Sequence, residues 1–153
     1  MPESRKTALV ISGGGAKGAF AVGVVKHLFL TYRETGWFAV TGGTSTGALI
    51  SPMAALMGAP DPLGSQALET LERMYTTVST KDILEKQSIF ELIARQDALY
   101  ETDPLNDLIH REFRQEWFEW LCRPEAPDSY VVYTNYQTGK RVVVSPKDDG
   151  MTR

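Results

Sequence analysis

Two short stretches hold the residues whose types and spacing could do chemistry. Gly43-Thr44-Ser45-Thr46-Gly47 is a G-x-S-x-G run, and Gly13, Gly15 and Gly18 give the stretch Ile11 to Phe20 the spacing G-x-G-x-x-G. The first pattern sets a serine among glycines, which suits a hydroxyl nucleophile on a turn too sharp for neighbouring side chains. The second suits a loop whose backbone N–H groups face negative charge, either a pyrophosphate or the oxyanion of a tetrahedral intermediate.

The two uses of the glycine loop make different demands. A dinucleotide site needs an acidic residue roughly 20 positions on, at the end of the second strand, to hold a ribose. Glu34 lies near that spacing but precedes the strand, which ends Val40-Thr41-Gly42-Gly43 with no carboxylate. A P-loop needs Ser or Thr after its lysine, and Gly18 follows Lys17. Alone, the loop could equally be a tight turn with no ligand. Beside a serine on a neighbouring strand-to-helix turn, it is better suited to an oxyanion.

The elements that must position these residues are legible in outline. Thr7 to Ile11 reads as a buried parallel strand running into glycines, and Ala19 to Tyr32 as a helix with Phe20, Val24, Leu28 and Tyr32 four apart. Phe38 to Thr41 reads as a second strand and Ala48 to Met57 as a helix that Pro52 should kink or stop. Two strand-glycine-helix units in succession imply an α/β arrangement with right-handed crossovers. After the Gly- and Pro-rich loop from Met57 to Ser65, helical patterns cover Gln66 to Val78, Lys81 to Glu85, Ile89 to Ala94 and Pro104 to Phe113, the last with Asp103 as N-cap. Tyr130 to Tyr136 and Lys140 to Ser145 read as a hairpin about Gln137-Thr138-Gly139.

Composition sets wider bounds. A chain of 153 residues with net charge -3 is one globular domain with no basic excess, so nucleic acid is not expected as a partner. Cys122 is alone, which excludes an internal disulfide and favours a reducing, cytoplasmic setting. The segment Met1 to Lys6 is polar and unlike a secretory signal, and the apolar run Ala19 to Leu30 is too short to span a bilayer.

The pairing of Gly13 to Gly18 after one strand with Gly43 to Ile50 (GTSTGALI) after the next resembles the patatin-like phospholipases. Tyr130 to Val144 (YVVYTNYQTGKRVVV) is similar to that family's strand, Thr-Gly turn and strand. The resemblance runs from about Thr7 to Ser145 and is strongest up to about Met57. It implies a three-layer α/β fold, a mostly parallel central sheet with helices on both faces. Residues 1–6 would be a polar N-terminal segment and residues 7–153 the N-terminal part of the domain. The resemblance implies lipid acyl hydrolysis through a Ser-Asp dyad, with Ser45 as nucleophile and Gly43, Thr44, Thr46 and Gly47 as its elbow. The oxyanion hole would be Gly13, Gly14, Gly15, Lys17 and Gly18, with the Gly14 and Gly15 N–H groups as donors. The expected partners are a lipid ester and a membrane or micelle surface. No metal or organic cofactor is expected.

The sequence departs from the family where the aspartate should be. The family carries it as Asp-Gly-Gly or Asp-Gly-Ala after further elements, whereas Asp149-Gly150-Met151 follows directly on the hairpin. A solvated turn is the simpler reading of Asp149. The expectation is an incomplete sheet, a base supplied from beyond this stretch, and a strand edge with apolar surface left bare. His27 precedes the serine and His110 lies in a helical pattern, so neither is expected to act. Trp117, Phe118, Trp120 and Leu121 read as a helix packed on the domain rather than a membrane anchor. Two rivals remain: a non-catalytic lipid- or partner-binding relative, and a nucleotide-binding domain.

Overall fold

The computed structural model describes residues 6–77, 85–86, 100–101, 103–135 and 137–148. A strand β1 (Ala8–Ile11) leads through a 3-10 turn (Gly15–Lys17) into α1 (Gly18–Tyr32), then β2 (Val40–Thr44), α2 (Thr46–Leu56) and α3 (Leu63–Thr77). After a two-residue antiparallel pair, β3 (Glu85–Lys86) with β4 (Tyr100–Glu101), come α4 (Asp103–Glu112), α5 (Gln115–Leu121) and the hairpin β5 (Asp128–Thr134) and β6 (Arg141–Val144).

The main sheet has the order β1-β2-β5-β6. Its first three strands are parallel, Ile11 opposite Gly43 and Gly43 opposite Val131, and β6 returns antiparallel with Val144 opposite Val131. Chain order along β1-β2-β5 advances in one direction, so right-handed crossovers set α1 and α2 on one side of the sheet. Ile11, Thr41 and Ser129 are buried toward that side. On the alternate positions Val10 is 80% exposed and Val143 47% exposed.

The core lies between this side of the sheet and the helices. Val22, Val25 and Phe29 of α1, Ile50, Met53 and Leu56 of α2, Leu68, Leu71 and Met74 of α3, and Trp117, Trp120 and Leu121 of α5 form one buried cluster. Hydrogen bonds pin α2 at two levels. Thr41 Oγ1 donates to the Ser51 carbonyl at 2.9 Å, and Trp37 Nε1 donates to the Ala54 carbonyl at 2.7 Å. Arg33 holds the turn after α2: its guanidinium grips both Asp61 oxygens and the Ala59 carbonyl while lying over the Phe29 ring.

The α/β class, the parallel strands and the hairpin match the expectations. Four local expectations need correction. β1 is parallel but stands at the edge of the described sheet, with Ile11 buried and Ala8 and Val10 exposed. The row Phe20, Val24 and Tyr32 faces solvent, because Val22, Val25 and Phe29 supply the packed face of α1. Of the kink or stop expected at Pro52, the stop does not occur: α2 continues to Leu56, without the bond a residue-52 N–H would send to the Ala48 carbonyl. Glu85 belongs to β3 rather than to a helix from Lys81, because it pairs with Glu101. The helix expected over Ile89 to Ala94 lies outside the described residues, as does Asp149. No helix of the described residues is long and apolar enough to cross a membrane.

Two measurements test these contacts. Trp117 is fully buried, so Trp117→Ala should lower the free energy of unfolding in urea by about 3–5 kcal/mol. A loss under about 1 kcal/mol would mean α5 is not part of the core. The Ser65 hydroxyl and the Arg33 guanidinium hold the Asp61 carboxyl below its ordinary value of 3.8. A depressed acid stabilises the fold above its unfolded value and loses that contribution as the pH falls through the folded one. Asp61→Asn should therefore be less stable than the unaltered protein at neutral pH, and the difference should shrink as the pH falls below the ordinary value of 3.8.

Candidate active site

The two glycine-bearing stretches meet at the C-terminal ends of β1 and β2. Their register puts Ile11 beside Gly43, so the loop leaving β1 and the turn leaving β2 emerge side by side. The turn is a single residue, Ser45, between the last residue of β2 and the first of α2. Its backbone has φ 54 and ψ -125, the positive φ of a residue forced through a reversal within one step. Among the described residues no other non-glycine has a positive φ. For a residue with a Cβ this conformation costs about 1–3 kcal/mol, which the surroundings must impose.

The surroundings impose it by backbone contact. A Cβ on Gly43 would collide with the Gly47 carbonyl, and a Cβ on Gly47 would collide with the Ile11 carbonyl. Strand β1, strand β2 and the first turn of α2 therefore touch main chain to main chain. Any side chain at either glycine would open the turn. The helix starts at once, with the Ala48 N–H donating to the Ser45 carbonyl at 2.8 Å.

The glycine loop lies against the serine itself. A Cβ on Gly13 would fall 2.9 Å from Ser45 Cβ and 3.5 Å from its Oγ. Gly14 accepts from the Lys17 N–H at 3.1 Å, closing the 3-10 turn, and Gly15 takes φ 54. Lys17 is exposed at the end of that turn. Gly13, Gly14, Lys17, Gly18 and Thr46 line a concavity of about 390 Å3 whose other wall is Val10, Phe20 and Val24. A second, apolar groove of about 320 Å3 lies between α2, α5 and the hairpin and does not include the loop, and Ser45 lines neither.

Ser45 is exposed. Among the described residues no carboxylate or imidazole hydrogen-bonds its Oγ. Asp61 is held by Arg33, Asp128 by Lys147, and Asp148 accepts from the Ser145 N–H. His27 and His110 are exposed on α1 and α4. Thus the structure brings together Gly13, Gly14, Lys17, Gly18, Ser45, Thr46 and Gly47, and none of the acids weighed in the sequence. One residue that spacing did not single out joins them. Tyr75 of α3 hydrogen-bonds the Thr46 hydroxyl. Nothing in the helical pattern of α3 separates Tyr75 from its packed neighbours Leu71 and Met74, so no sequence signal could have named it.

A strand-turn-helix with an exposed serine at positive φ, flanked by a glycine loop at the start of the preceding helix, presents the serine hydroxyl at the surface beside main chain with no side chain between them. The model of the patatin-like phospholipases matches residues 9–120, most of the chain and both glycine-bearing stretches. The protein belongs to the patatin-like phospholipase family, and lipid hydrolysis is that family's general activity. No curated protein and no solved structure matches the chain.

The strain at Ser45 has a measurable signature. Ser45→Gly should be more stable than Ser45→Ala by about 1 kcal/mol or more, because glycine adopts the turn conformation without a Cβ penalty. Equal unfolding midpoints for the two variants would show that the turn is relaxed.

Proposed function

We propose that this protein is a serine acyl hydrolase that cleaves fatty acyl esters, with Ser45 as its nucleophile. The observation that carries the reading is the position of Gly13 directly against an exposed serine held at positive φ. In this mechanism Ser45 Oγ attacks the ester carbonyl carbon and its proton passes to an aspartate. The carbonyl oxygen becomes an oxyanion facing the backbone N–H groups of the loop at Gly14 and Gly15. One such donor contributes about 3 kcal/mol to the transition state. The tetrahedral species then expels the alcohol, which takes up the proton. Water, activated by the same carboxylate, releases the fatty acid and restores the serine.

The wall of Val10, Phe20 and Val24 beside the loop supports an acyl chain as the apolar part of the substrate. Approach to a membrane or micelle surface fits the same exposed side chains. Lys17, exposed at the loop's end, is suited to attract an anionic head group. The non-catalytic alternative rests on one observation, that no described acid bonds Ser45. A hydroxyl without an adjacent base is a weak nucleophile.

Mass spectrometry with a fluorophosphonate decides between them. The expected result is one covalent adduct, mapped to the Ser45 peptide, together with hydrolysis of acyl esters that Ser45→Ala abolishes. Hydrolysis retained by Ser45→Ala would overturn the assignment. Absence of both adduct and turnover would favour the non-catalytic reading.

A further inference from the structure

The residue after the serine is tied from outside the glycine stretches. Thr46 begins α2, and its hydroxyl hydrogen-bonds the Tyr75 hydroxyl near the end of α3. The same Tyr75 oxygen lies 3.4 Å from the Thr46 carbonyl oxygen. Gly18, the last glycine of the loop and the first residue of α1, packs on this pair. A Cβ there would collide with Thr46 Oγ1 and stand 2.8 Å from Tyr75 Cε1. Three helices thus converge on two hydroxyls one residue from Ser45.

We propose that Tyr75 is a positioning residue for Ser45, holding Thr46 so that the serine turn and the glycine loop keep a fixed separation. The proposal rests on the hydrolase reading given above. Tyr75 acts through Thr46, which is confined on both sides. Movement away from α3 breaks the bond between hydroxyls, and movement toward the loop is blocked by the backbone at Gly18. The separation it fixes is the one that matters chemically, because donors act only when they stand where the oxyanion will form. Burial pushes the Tyr75 phenol above its usual value of 10, so it stays protonated at neutral pH and can donate as well as accept.

The test compares the unaltered protein with Tyr75→Phe, Thr46→Val, Thr46→Ser and the Tyr75→Phe/Thr46→Val double variant. Each is assayed for kcat and KM on a p-nitrophenyl acyl ester, for the rate of fluorophosphonate labelling at Ser45, and for its melting temperature. Misplacement of catalytic groups by a fraction of an ångström lowers kcat, so Tyr75→Phe should lose about tenfold or more in kcat and labelling rate with KM within about twofold. Thr46→Val should match it, Thr46→Ser should recover most of the rate, and the double variant should be no worse than the slower single one, because both remove one interaction. Should Tyr75→Phe fail to fold, Thr46→Val against Thr46→Ser carries the comparison. An unaltered kcat and labelling rate in Tyr75→Phe, or losses that multiply in the double variant, would overturn the positioning role while leaving the hydrolase reading intact. No labelling of Ser45 in the unaltered protein would overturn both.

Discussion

The structure depends on how closely main chain approaches main chain where β1, β2 and α2 meet. Gly43 lies against the Gly47 carbonyl and Gly47 against the Ile11 carbonyl, with no room for a single carbon at either place. This contact sets the angle at which α2 leaves the sheet, and hence the positive φ of Ser45. It also brings the loop after β1 against the serine. Two glycine-bearing motifs that look independent in the sequence are thus two sides of one backbone contact.

The rest of the domain stabilises that contact from a distance. Thr41 and Trp37 anchor α2 at the Ser51 and Ala54 carbonyls, below the turn. Apolar side chains of α1, α3 and α5 close over it. The same arrangement leaves the β1 edge with Val10 and Phe20 each 80% exposed. A parallel strand ordinarily has both its faces and its ladder covered, and surface of this kind is adapted to contact with something apolar. Lipid and protein both qualify, and the acyl ester proposed as substrate is the occupant nearest the serine.

The sequence disclosed the backbone geometry of the candidate site better than its surroundings, and the reason is physical. Gly13, Gly43, Ser45 and Gly47 are fixed by backbone geometry that only a few residue types satisfy, so their letters report their conformation. Helix α1 shows the opposite case. Its row of apolar residues four apart marks a helix correctly, yet Val22, Val25 and Phe29 do the packing while Phe20 and Tyr32 face out. Spacing reveals a stripe; only tertiary contact reveals which stripe is covered. Pro52 does not stop its helix for a related reason. Its missing donor forgoes one bond, and packing by Ile50, Met53 and Leu56 on either side outweighs it. Tyr75 was invisible because its role comes from a long-range hydrogen bond, and no pattern local to α3 encodes one.

The register of Ile11 with Gly43 has a further consequence for how the molecule forms. The main-chain contacts at the serine turn and the glycine loop lie between Ala8 and Leu56. Closing so short a stretch of chain forfeits little loop entropy compared with pairing distant strands. Contacts of low sequence separation are also those a chain finds soonest. The backbone contact at the serine turn is therefore less costly in loop closure than the pairing of β2 with β5, which spans more of the chain.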